Sequence, residues 1–164
     1  MRKLTFTTVI LTLACVFSTA LATDYDHGHE ALQIFDLDGF KSSPQWVQIW
    51  VSFMVLNFLA GLAFVKDQAI ARWVVGGFLT GLLFSLLANL LFGVIGLSGF
   101  IALVHLIFWS PGLYQLISKR PFLGLKTAFS IWTGLMTAVI LFSFIFDVKD
   151  AFLYLQHLFY IHNT

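Results

Sequence analysis

The chain of 164 residues is 59% hydrophobic, only 10% charged, and has a formal net charge of +1. Soluble domains carry roughly 25% charged residues, so this composition argues against a water-soluble globule, and a near-neutral chain with no basic stripe argues against nucleic acid as a partner. The single cysteine, Cys15, rules out a disulfide framework or a cysteine-based zinc or iron–sulfur site within one chain.

Met1, Arg2 and Lys3 give a positive start, 4–18 is apolar and broken by threonines, and Ala20 and Ala22 place small residues where a leader peptidase cuts. That order predicts a secretory signal peptide over 1–22. The competing readings are an uncleaved first helix and a lipoprotein site at Cys15, the second disfavoured by Thr12 where a bulky aliphatic is expected. Segment 23–45 is then exported. It holds Asp24, Asp26, His27, His29, Glu30, Asp36 and Asp38 against Lys41 alone. Its partly apolar stretch 31–40 can lie on lipid or on protein. Asp36 and Asp38 resemble the start of a calcium loop, but the later ligands are missing.

Ser43 and Pro44 suit the cap and first turn of a helix. A transmembrane region follows over 46–146. Its core is 73–118, a run without one Asp, Glu, Lys or Arg. A spanning helix needs about 20 apolar residues, so this run holds two, with Gly93, Gly96 and Gly99 at the turn. The expected spans are 46–65, 73–92, 98–117 and 127–146, an all-α four-helix antiparallel bundle. Lys66, Arg72, Lys119, Arg120 and Lys126 fall in the loops on one side, and seven of the eight acidic residues on the other. Lys and Arg mark the cytoplasmic side, which agrees with export of 23–45. The expectation is a multi-pass inner-membrane protein with both mature termini on the periplasmic side. Residues 147–164 form a short exported amphipathic helix, either in the interface or extending the fourth span.

Gly77, Gly81, Ser85 and Asn89 recur every four residues on the second span. In lipid, small residues that permit close backbone approach promote helix packing, so this stripe is the expected contact face, toward another span or a second protomer. Pro111 removes a backbone hydrogen bond from the third span, and Ser110 is placed to satisfy part of what it frees. The intramembrane polar groups are Asn57, Asn89 and His105. His105 lies about 10 Å below the outer surface at 1.5 Å per residue, on a face with Ser98, Ala102 and Trp109. Asn89 comes to a similar depth, which predicts an Asn89–His105 contact.

Three function classes fit. The leading one is a non-enzymatic accessory or scaffold subunit, with the bilayer and a membrane-protein partner or homo-oligomer as its contacts. The second is a metal-handling protein with His27, His29, His157 and His162 as exported ligands, since imidazole suits copper or zinc. The third is a redox subunit holding quinone or haem near His105 and Trp109. No Ser-His-Asp order with supporting motifs, no HExxH and no phosphate-binding glycine loop is present, so an enzyme is not the expectation.

Overall fold

The computed structural model describes residues 30–162 except 36, 94, 95 and 125. It is 87% helical, with no strand among the described residues. A short helix, α1 (Leu37–Ser42), precedes four long ones: α2 (Gln45–Ala60), α3 (Ala69–Phe92), α4 (Ser98–Lys119) and α5 (Ala128–His162). A 3-10 turn, Gly61–Phe64, continues α2, and another, Pro121–Leu123, follows α4. All four long helices, with these turns, are long and apolar enough to cross a membrane. Hydrocarbon offers no partner to backbone N–H and C=O groups, so a spanning segment of this composition satisfies them within its own helix. The leader expected over 1–22 lies outside the described residues.

The helix ends follow local chemistry. Gly93 stops α3 in the left-handed region, with φ of 63°, and its N–H donates to Asn89 O at 2.9 Å. Arg120 ends α4 in the same region, with φ of 46°, and donates to Leu116 O at 3.0 Å. Pro121, with no N–H to give, prevents the helix from continuing. At the start of α2 the expected cap is replaced. Ser43 Oγ donates back to Phe40 O at 2.6 Å, closing α1, while Gln48 Nε2 donates to Ser43 O at 2.8 Å. Pro44 takes the cap position. Ser110 Oγ donates to Leu106 O, not to the carbonyl of Ile107 that Pro111 leaves without its helical donor, and α4 runs through the proline.

The fourth span and the C-terminal tail are one helix. The 35 residues of α5 reach about 52 Å at 1.5 Å each, well beyond a hydrocarbon core of about 30 Å. Of the two placements expected for the tail, the described residues up to His162 take the second and extend the fourth span. No helix breaker stands at 147–162, and a helix already formed extends at little cost.

Close backbone approach joins α3 to α4. A Cβ on Gly77 would collide with the backbone of Phe108, and one on Gly81 would stand 3.2 Å from Val104. These two glycines thus pack within the chain; Ser85 is half-buried and Asn89 exposed. Gly99 belongs to α4, not to the turn, and lies against α5. Beneath, Phe58 of α2 stacks on Phe78 of α3 at 4.4 Å and meets Trp109 of α4 at 4.8 Å. Trp132 of α5 donates its indole N–H to Asn57 O at 2.9 Å. Trp132→Phe keeps an aromatic ring but deletes the N–H and part of a buried indole, so unfolding in detergent should show a loss greater than the roughly 1 kcal/mol of the bond alone. Asn57 spends its amide on its own helix, donating to Phe53 O at 2.8 Å.

The stretch before α1 lies on protein. Phe35 N–H donates to Gly96 O and Ser98 N–H to Gln33 O, each at 2.8 Å. Ile34 and Leu97 form the intervening bridge, and Ala31 is fully buried. This clasp pins the segment over the α3–α4 turn.

Candidate functional site

Beneath the clasp is a cavity of about 610 Å³. It lies between α2, α4 and α5; among the described residues α3 contributes no lining side chain. Phe35 and Ser43 help to roof it. Trp46 and Trp50 of α2 and Phe142 and Phe146 of α5 line it. Trp50 and Phe142 meet at 4.4 Å, and Ser143 Oγ donates to Met54 Sδ at 3.6 Å, closing the deep end.

Its polar wall is His105 with Asp147. Nδ1 of His105 stands 3.3 Å from Oδ2 of Asp147, with the two side chains 21% and 14% exposed. The two atoms are within ion-pair distance of each other without hydrogen-bond geometry, whereas Trp46 Nε1 is buried and has no partner. Buried polar atoms are normally satisfied, so an orphaned indole N–H and a His–Asp pair lining one cavity mark it as the candidate site. The His105 ring is held flat on Trp109, with centroids 3.8 Å apart and planes 19° apart. Trp109 is only 2% exposed, so the pair rests on the aromatic core.

The helices put these groups at one level. Asp147 comes about 29 Å along α5 from Ala128, and His105 about 10 Å along α4 from Ser98, at 1.5 Å per residue. The helices run antiparallel, so both fall near the end that carries the clasp. Ser98, Ala102 and His105 all line the cavity, as their common face predicts. The partner of His105 differs from the expected one. Its ring contacts are with Asp147 and Trp109, not with Asn89.

Asp147 and Trp46 were not among the candidate residues. Asp147 sat one place past the expected end of the fourth span and was grouped with the exported tail. The signal was helical spacing across that boundary: Ser143, Asp147 and Asp150 share a face at steps of four and three, and all three line the cavity. Trp46 has the look of an ordinary interfacial tryptophan in sequence.

Of the metal candidates, His27 and His29 lie outside the described residues. His157 is half-buried on α5, and His162 ends the same helix, five residues on and off that face; its side chain lies outside the described ones. Among the described residues, no three His, Cys, Asp or Glu side chains converge as a metal site. Comparison with protein-family models, curated proteins and solved structures gives no match.

Proposed function

We propose that this is a non-enzymatic inner-membrane subunit that holds a small amphiphilic molecule in the His105–Asp147 cavity. The observation that carries the reading is the buried Trp46 indole N–H without a partner, in an aromatic-lined cavity that also holds the His105–Asp147 pair. A ligand pocket has this composition: apolar walls with a few polar groups that fix orientation, in a volume of roughly 300–1,000 Å³. Three of the nearby hydroxyls are already committed, Ser42 to Gly39 O, Ser43 to Phe40 O and Ser143 to Met54 Sδ, which favours binding over chemistry.

In this reading 1–22 is a cleaved leader and the helix ends and loops with Lys66, Arg72, Lys119, Arg120 and Lys126 face the cytoplasm, as the positive-inside rule requires. The cavity then lies near the periplasmic face, with both mature termini on that side. The exposed apolar faces, among them Leu82, Leu86 and Leu90, are left for lipid or for a partner subunit.

Native mass spectrometry of the mature protein, gently extracted from its own membrane, tests this. The expected spectrum shows the chain with one bound organic molecule. Trp46→Phe keeps an aromatic, though smaller, ring and deletes the N–H, and should weaken retention at least about three- to tenfold, the value of one hydrogen bond. A bare chain would overturn the reading. An additional polypeptide without a small molecule would replace it with the scaffold role.

A further inference from the structure

The polar groups of the cavity restrict what it can hold. Resting on the binding role above, we infer that its ligand is a neutral, flat-headed lipid of the quinone class.

Hydrogen-bonding type comes first. Trp46 Nε1 is a donor only, so the ligand must present an acceptor there. On the other wall His105 can donate or accept, and the Asp147 carboxylate accepts. The ligand therefore needs a second polar atom that can accept from His105 or donate to Asp147. A quinone carbonyl meets the first need, and the hydroxyl of the corresponding quinol meets the second. A head with oxygens at opposite ends of one ring supplies both kinds of group.

Charge comes next. No Lys or Arg lines the cavity among the described residues, which leaves a phosphate or fatty-acid carboxylate without a counter-ion beside Asp147. A cationic amine would have to share the Asp147 carboxylate with the His105 ring, whose Nδ1 already stands 3.3 Å from it. A neutral ligand needs neither arrangement undone. Unpaired charges buried near the membrane are costly, so neutrality is the least expensive choice.

Shape agrees. Trp46, Trp50, Phe142 and Phe146 all line the cavity, and aromatic surfaces favour stacked or edge-on contact with a flat ring. The cavity of about 610 Å³ suits a substituted ring and the first part of a chain. The enclosing helices have apolar outer surfaces, so the rest of the chain can remain in lipid.

The test is calorimetric titration of the full protein in lipid nanodiscs, with empty nanodiscs subtracted. The probes are decylubiquinone, dodecyltrimethylammonium and laurate. Saturable one-to-one binding of decylubiquinone is expected, weakened at least three- to tenfold by Trp46→Phe and at least as much by His105→Leu. Circular dichroism of each variant checks that it is folded. Saturable binding of the ammonium or the laurate in place of the quinone would overturn the assignment. So would decylubiquinone binding that neither variant alters. If no probe binds but native mass spectrometry still shows an organic molecule lost in Trp46→Phe, the quinone class is wrong and the binding role stands. A bare chain in that experiment defeats both.

Discussion

Gly99→Ala should destabilise the protein by about 3 kcal/mol, the upper part of the range for overfilling a packed site. The added methyl would stand 2.5 Å from Tyr154 Cβ, 2.7 Å from Asp150 O and 2.9 Å from Ala31 O. None of these atoms is the far end of a flexible side chain. Two are backbone oxygens, one on α5 and one on the clasp segment, so relief requires α4 to part from both. The effect should be visible twice. An SDS titration of the detergent-solubilised protein should reach its midpoint earlier than wild type. The amides of Phe35 and Ser98, which donate across the clasp, should exchange faster with solvent. Gly76→Ala is the control, because nothing lies within 4 Å of its added carbon. Equal stability of the two variants would mean that α4 and α5 are not in contact at Gly99.

Trp109→Ala should cost about 3–5 kcal/mol, the usual loss for deleting a buried indole. In lipid the helices are not driven together by exclusion from water, but the lost packing contacts and the remaining void still count. Trp109 is 2% exposed and joins Phe58 at 4.8 Å to His105 at 3.8 Å. Its removal opens a hole in the core and takes the support from under the imidazole. Trp109→Phe restores part of the stack and should recover a corresponding part of the stability. Trp73→Ala, at a position 53% exposed, should stay within about 0.5 kcal/mol of wild type. The same unfolding titration separates the variants. A small loss in Trp109→Ala would show that the three helices do not meet around this ring.

The two positions differ in how legible they were. Trp109 shares a helical face with His105 by spacing alone, so its neighbourhood could be read from the chain. Gly99 follows Gly93 and Gly96 and has the pattern of a turn glycine. Only the arrival of Tyr154 and Ala31 beside it, from residues distant in the chain, turns it into a packing glycine.

The same division holds for the whole molecule. Apolar length, sparse charge and the position of basic residues are local properties. They suffice for four membrane-spanning helices, because in a bilayer the backbone has no other way to satisfy itself. The small-residue stripe likewise announced a contact face at Gly77 and Gly81, though not that Phe108 and Val104 would fill it. What tertiary structure decided is where polar groups meet. Hydrophobicity is a property of segments, whereas the partner of a buried polar atom depends on the rotation and offset of another helix. Hence His105 was visible as an unusual residue, while its neighbour Asp147, the Trp46 indole across the cavity, and the clasp that roofs them emerge only once α2, α4 and α5 are set side by side.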